Sequence, residues 1–215
     1  MRYLLICLLC AGCIQAALAQ YSVGLQGGYT RAWEEYGDAD IPENAKIHIH
    51  GFHISALIYS PFHKHLFIGS EPGFVRRGAA CVPGFQVFTN ETKFLFNYIE
   101  IPLFIKYQIP FGTSKWSLHG KAGYSGSWLV SGTRIDITNQ GWGQVTTETK
   151  LDFDTESEFQ RFDHGLHAGI DLCYNVKNAH LFMYSSYYNS FVDAVDFTTS
   201  KNRGINFGLG CTLPI

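Results

Sequence analysis

The stretch NYIEIPLFIKY, Asn97 to Tyr107, decides how the rest of this sequence is read. Ile99, Ile101, Leu103, Ile105 and Tyr107 occupy alternate positions, and Tyr98, Glu100, Pro102, Phe104 and Lys106 stand between them. A period of two places the two sets on opposite faces of an extended strand. One face is apolar throughout, and both charges fall on the other.

Working outward, the same alternation recurs in Tyr21 to Arg31, Ile47 to Tyr59, Leu66 to Arg77, Trp116 to Val130, Phe162 to Tyr174, Leu181 to Asn189 and Arg203 to Leu213. The composition agrees. Aromatic residues make up 15% of the chain, beside 22 glycines and two methionines, and no segment repeats every three or four residues as an amphipathic helix would. Eight strands follow, joined by connections that alternate in length. Pro61 to His65, Pro110 to Lys115 and Asn175 to Ala179 are short; Ala32 to Lys46, Gly78 to Thr92, Ser131 to Arg161 and Phe191 to Asn202 are long. Short turns at one end and long loops at the other are the pattern of a barrel crossing a bilayer.

The distribution of charge sets the direction of the faces. Glu71, Arg77, Glu100, Lys106, Lys121 and Asp171 share their faces with glycine and serine, whereas the opposite faces collect leucine, isoleucine, valine and aromatics. In a soluble barrel the oily face points inward and the outer face is polar. Here the charges are better placed inside, pairing with one another and with trapped water, and the oily faces outside against lipid. The expected fold is an all-β, eight-stranded antiparallel up-and-down transmembrane β-barrel. Tyr59, Tyr107, Trp116 and Tyr174, near strand ends, are expected in interfacial aromatic girdles.

The chain starts with an export signal: Arg2, an apolar run from Leu4 to Leu9, and an Ala17-Leu18-Ala19 cleavage site. Residues 1–19 are therefore expected to be removed, leaving residues 20–215 as one barrel domain in the bacterial outer membrane. A competing lipoprotein reading would process at Cys13, but the residue three before it is Cys10, where leucine is usual. Cys81, Cys173 and Cys211 then remain, an odd number whose wide spacings give neither a disulfide framework nor a metal knuckle. A net charge of -2 offers no basic surface, so nucleic acid is not expected as a partner.

Two stretches carry a family resemblance. LFIGSEPGFVRRGA (Leu66 to Ala79) resembles the "PEL-Y-x-x-KGA" strand of the PorT-type outer-membrane β-barrel proteins of Bacteroidota, and NYIEIPLFIKYQI (Asn97 to Ile109) is similar to their "YLEIPLLLKY" strand. The resemblance implies a small outer-membrane barrel; PorT itself is associated with protein secretion. The proline is displaced at Glu71-Pro72, and the chain ends Leu213-Pro214-Ile215 where barrels usually finish on an aromatic residue.

Candidate sites are few. Glu71, Arg77, Glu100, Lys106 and Lys121 are expected to form a charge network that fills a narrow lumen, since eight strands enclose about as much space as their own side chains occupy. His48, His50 and His53 invite a metal reading that needs a further ligand from a loop. Ser127, Ser131, His164 and Asp163 allow a Ser/His/Asp set to be drawn at the outer rim, as a lipid-modifying enzyme would require, but no nucleophile elbow, P-loop or dinucleotide fingerprint supports it. No catalytic, cofactor or metal residue is assigned. The expected function is a non-enzymatic membrane-anchored scaffold that conducts no solutes. Its expected partners are outer-membrane lipid and an envelope or secretion protein reached through loop 131–161, where Trp142 and the acidic run Asp152, Asp154, Glu156 and Glu158 lie. The alternatives weighed are a lipid-modifying enzyme and a soluble periplasmic ligand-binding barrel.

Overall fold

In the computed structural model, which describes residues 21–36, 46–81, 90–140, 143–153, 159–195 and 198–215, the alternating segments pair edge to edge into a closed ring. The strands are β1 (Ser22–Tyr36), β2 (Lys46–Ile47), β3 (Ile49–His63), β4 (Leu66–Ser70), β5 (Gly73–Cys81), β6 (Asn90–Pro110), β7 (Trp116–Gln140), β8 (Gly143–Lys150), β9 (Phe162–Val176), β10 (Ala179–Val195) and β11 (Thr198–Pro214). All pairings are antiparallel, and β1 closes the ring against β11 from Ser22↔Pro214 to Tyr36↔Ser200. The wall has eight staves: β1, β3, β4 with β5, β6, β7, β9, β10 and β11. The proposed export signal lies outside the described residues.

The third stave is interrupted where the sequence places Glu71-Pro72. Proline has no N–H to give the ladder, so regular pairing lapses between β4 and β5. The register does not change: Ser70 faces Leu103 below the break and Gly73 faces Glu100 above it. Pro72 still accepts from the Ala56 N–H at 2.9 Å. One wall strand thus carries a local gap that leaves the Glu71 side chain buried inside.

The outer surface is the oily one. Leu103 is 63% exposed and Leu209 68%, and Leu25, Ile54, Ile101, Ile105, Ile170 and Met183 are also exposed. Arg77, by contrast, is 1% exposed and Asp171 0%. That polarity belongs to a barrel in lipid, and it rules against the soluble ligand-binding reading, whose outer face would be polar. Among the described residues no helix is long and apolar enough to cross a membrane. Strands make the crossing.

Inside, bulk is accommodated by pairing large residues with absent ones. Tyr59 lies opposite Gly69, Phe104 opposite Gly123 and Phe182 opposite Gly210. A Cβ at Gly123 would sit 2.5 Å from the Phe104 ring and one at Gly210 2.2 Å from the Phe182 ring. Tyr59 corrects an expectation: it is 3% exposed and turned into the lumen rather than set in a girdle. Its parity requires this, because Ile54 and Ile58 on the same strand face outward. Trp116, Tyr174 and Tyr107 do lie on the outer side of the short-turn end, with the Trp116 and Tyr174 rings 4.9 Å apart.

The connections differ from expectation mainly because strands run further. β3 continues through Pro61 to His63, leaving Lys64-His65 as the turn. At the other end β5, β6, β7, β10 and β11 all extend into the stretches assigned to long loops. The expected loop 131–161 is largely sheet: Ser131 to Gln140 prolongs β7, and β8 folds back on it in register from Gln140↔Gly143 to Thr133↔Lys150. Residues 141–142 and 154–158, including Trp142, Asp154, Glu156 and Glu158, lie outside the described residues.

Placing a charge at mid-height on the outer wall tests the face assignment. Leu103→Arg should destabilise the barrel by roughly 2–4 kcal/mol in lipid vesicles, measured by reversible urea unfolding. An unchanged midpoint would contradict a lipid-facing wall.

Candidate functional site

The lumen is the most organised polar region, and strand parity alone delivers its residues there. Near the short-turn end, Lys121 Nζ reaches Glu71 Oε1 at 2.7 Å and Oε2 at 2.9 Å, and lies 3.6 Å from Asp171. Lys106 pairs with the other Asp171 oxygen at 2.8 Å. Glu71 also accepts from Gln26 Nε2 at 2.7 Å and from the Tyr59 hydroxyl. Two cations and two carboxylates therefore form one neutral cluster. The Lys106 ammonium sits 4.0 Å from the centre of the Tyr59 ring, which adds a cation–π contact.

A second cluster lies above it. Arg77 Nη2 donates to Glu100 Oε1 at 2.5 Å, and the same oxygen accepts from the hydroxyls of Ser127 at 2.9 Å and Ser125 at 3.2 Å. His167 Nε2 approaches it at 3.3 Å. The Arg77 guanidinium carbon lies over the Tyr188 ring, 3.8 Å from its centre. Above this, Asp163 accepts from Ser190 at 2.5 Å and Asn202 at 3.1 Å. Between the two clusters, His53 bonds Tyr184 and meets Thr30 at 3.1 Å, and Thr30 donates to Asn206 at 2.9 Å.

The five charges expected in the lumen are thus in two separate groups, with Lys106, Lys121 and Glu71 in one and Arg77 and Glu100 in the other. Asp171 joins them through its place on β9. His53, weighed as a metal ligand, and Tyr59, expected in a girdle, lie in the filling instead, together with Tyr184, Tyr188 and Asn202, which sequence reasoning missed. Parity was the signal that could have found them, because each shares a strand face with a lumen residue.

Little open volume remains. A cavity of about 70 Å³ opens at the short-turn end among Tyr59, Lys106, His119, Cys173, His180 and Phe182. An enclosed one of about 20 Å³ lies at mid-height between Glu71 and Glu100, about enough for a single water. At the far mouth Phe94, Leu151, Phe153 and Phe159 pack over a buried group of Val75, Phe96, Tyr98 and Leu129. Leu151 N–H bonds Gly132 at 3.0 Å, Leu129 N–H bonds Arg161 at 2.8 Å and Gln160 N–H bonds Ala194 at 3.2 Å, which ties this cap to β7 and β10.

The other candidate sets are not assembled. Asp163 points inward and Ser127 binds Glu100, while His164 faces outward and meets the Tyr124 hydroxyl at 2.8 Å; Ser131 is exposed and accepts from Asn97 at 2.9 Å. A Ser/His/Asp relay cannot run through the wall of a sheet. His50 is exposed and bonds Tyr29, whereas His53 is buried on the opposite face. Among the described residues no group of three metal-binding side chains is present. Cys173 and Cys211 are free thiols.

A closed antiparallel ring with an oily outside, a salt-bridged inside and short turns at one end is the construction of an outer-membrane barrel. Residues 18–196 match the family described as outer membrane protein beta-barrel domain. The chain belongs to that family. It is therefore a protein of the bacterial outer membrane. No curated protein matches its sequence. Among solved structures, Neisserial surface protein A superposes with a TM-score of 0.51 at 14% identity, over 91% of this chain and 97% of that one. A major outer membrane protein of Thermus thermophilus gives 0.49 at 11% identity, covering 92% and 99%. The outer membrane protease OmpT of Escherichia coli gives 0.41 at 12% identity, covering 92% and 96%. At these identities the likeness concerns fold, and no activity passes with it.

The lower cluster provides the second test. Lys121→Met leaves Glu71 and half of Asp171 without a cation in a buried site, and should cost roughly 3–5 kcal/mol in urea unfolding from vesicles. Adding Glu71→Gln should recover a substantial part of that loss. Equal loss in the single and double variants would show that the pair is not coupled.

Proposed function

We propose that this family member is a closed, non-enzymatic membrane anchor that presents the β6–β7–β8 extension at the cell surface to a protein of the envelope or secretion machinery. The observation that carries this reading is the contrast between the two ends of the same strands. Within the wall β6 and β7 enclose a lumen filled by paired charges and capped by phenylalanines. Beyond it they continue, with β5 on the other side of β6, as a sheet edged by β8, all eight residues of which are exposed. A strand with one free edge offers backbone N–H and C=O groups to an extended partner segment. The barrel supplies a rigid, non-conducting base from which that edge projects.

The extension carries its own charge compensation. Lys93 pairs with Glu91 at 3.1 Å and Arg134 with Asp136 at 2.9 Å, so long-range attraction contributes little to this edge. Recognition by strand addition fits that neutrality, since main-chain bonds supply affinity and side chains only select. The secretion role associated with PorT is a narrower form of the same reading, supported by the two motifs at Leu66 to Ala79 and Asn97 to Ile109.

Reconstituted into planar bilayers, the protein should give no stable conductance steps. A photoreactive residue at Val145 on β8 should cross-link one defined envelope protein in intact cells, and shortening the hairpin to a tight turn after Thr133 should abolish the adduct while the barrel still inserts. Stable conductance from the wild type would favour a channel and sink the anchor reading.

A further inference from the structure

On one side of the outer wall the change from apolar to charged residues is abrupt. Toward the long-connection end, outward positions on β1 run from Leu25 and Tyr29 to Arg31, and on β3 from Ile54 and Phe52 to His50, with His48 just before the strand. On β5 they run from Phe74 to Arg76, and on β11 from Leu209 and Phe207 to Arg203. Arg31 faces His50 across the β1–β3 ladder. Arg76 stands on the next stave, level with Phe52, so its backbone is two strand spacings, roughly 10 Å, across the sheet from that of Arg31 and two residues along it.

Arg31 and Arg76 differ from three other cations of the outer surface. Arg203 is paired with Glu35, Lys93 with Glu91 and Arg134 with Asp136. Among the described residues no carboxylate pairs with Arg31 or Arg76. Arg31 is exposed. Arg76 is fixed rather than loose: its Nε donates to Asn97 Oδ1 at 2.9 Å, and its guanidinium lies 5.3 Å from the Phe52 ring, which stacks on Phe74 at 5.4 Å. Among the described residues nothing accepts a hydrogen bond from its two terminal nitrogens. Between the arginines, His50 bonds Tyr29, and His48 meets the edge of Trp33 at 5.5 Å. Burial first, then Arg31 and then His50, hold His48 below its usual pKa, so the Arg31 charge is felt inside this patch.

We propose that Arg31 and Arg76, with His48 and His50 between them, bind the phosphate of a phosphorylated glycolipid in the outer leaflet. A guanidinium with free terminal nitrogens matches phosphate oxygens two at a time. The height is that of lipid headgroups, since long connections mark the extracellular end of such barrels. The apolar wall beneath the patch, Leu25, Tyr29, Phe52, Ile54 and Phe74, continues along the path that acyl chains follow. That continuity selects a lipid over a water-soluble phosphate, which would use the cations and leave the wall idle. Further round the wall at this height β7 and β9 present Ser131 and His164, and among the described residues no unpaired arginine, so the lipid is bound on one side. The inference adds a ligand on the outer wall and is independent of the β8 edge.

The test uses the purified full-length barrel in detergent, with phosphorylated lipid A and its dephosphorylated counterpart as probes and native mass spectrometry as the readout. Heat-shifted migration on gels establishes that each variant is folded. The double variant R31Q/R76Q should bind phosphorylated lipid A about thirty-fold more weakly, R31K/R76K, which keeps the charge but loses the paired donors, should fall between it and the wild type, and R134Q should be unchanged. Dephosphorylated lipid should bind the wild type as weakly as phosphorylated lipid binds R31Q/R76Q. If the double variant does not fold, R31Q alone carries the test with an expected loss of about fivefold. Undiminished binding by the folded glutamine variant, equal affinity of the wild type for the two lipids, or inorganic phosphate binding as tightly as the lipid would each overturn the proposal.

Discussion

Everything in this molecule depends on the closure of β1 on β11. A strand edge left open in hydrocarbon exposes N–H and C=O groups that no water can reach, at a cost of several kcal/mol each. Closing the ring along the whole of β1, from Ser22↔Pro214 onward, removes that edge. Once the ring is closed, each residue of the wall faces either lipid or lumen, with no third environment. The strict alternation of Ile99 to Ile109 with Glu100 to Gln108 follows from that choice. The gap at Glu71-Pro72 is tolerated because it leaves register intact on both sides and because the freed Pro72 carbonyl still finds the Ala56 N–H.

Closure also dictates what fills the inside. Eight strands leave a lumen as wide as its side chains, so an unpaired charge there could neither leave nor be hydrated. The clusters answer this by local neutrality: Lys106 and Lys121 with Glu71 and Asp171, then Arg77 with Glu100. Aromatic rings occupy the space between the clusters, and glycines on the neighbouring strand make room for them. Such filling stabilises little by itself, since buried ion pairs roughly repay their desolvation. Its effect is specificity, because each partner is misplaced if a strand slips by one residue.

The wall was legible in the sequence and its extension was not. Between Asn97 and Tyr107 one side meets lipid and the other a polar lumen, so the period of two is sharp. Beyond the bilayer both faces of a strand meet water, and the pattern fades. The segment Gln144-Val145-Thr146-Thr147-Glu148-Thr149 carries almost no apolar contrast, which is why β8 reads as a polar loop. The lumen charges were legible for the same reason as the wall, through parity, although parity does not say which charge meets which. Tyr59 was misplaced by giving an aromatic at a strand end more weight than its even spacing from Leu57, which is buried on the same face. The Ser/His/Asp set failed on the rule that revealed the barrel, since Asp163 and His164 are adjacent and must face opposite ways.

The outer rim shows where function can accumulate on such a scaffold. Lumen residues are committed to one another, and lipid-facing residues at mid-height are restricted to apolar types. Freedom remains at the boundary where a strand leaves the apolar band, and there the outward positions of neighbouring staves differ most from one another. On β6 and β7 that boundary carries Asn97 and Ser131, bonded to each other, and the strands continue upward as a sheet. On β1 and β5 it carries Arg31 and Arg76, free of carboxylates, one exposed and one braced on Phe52. A ring with uniform walls thereby acquires two adjoining faces that meet where Arg76 bonds Asn97, one suited to meeting protein and the other to meeting lipid.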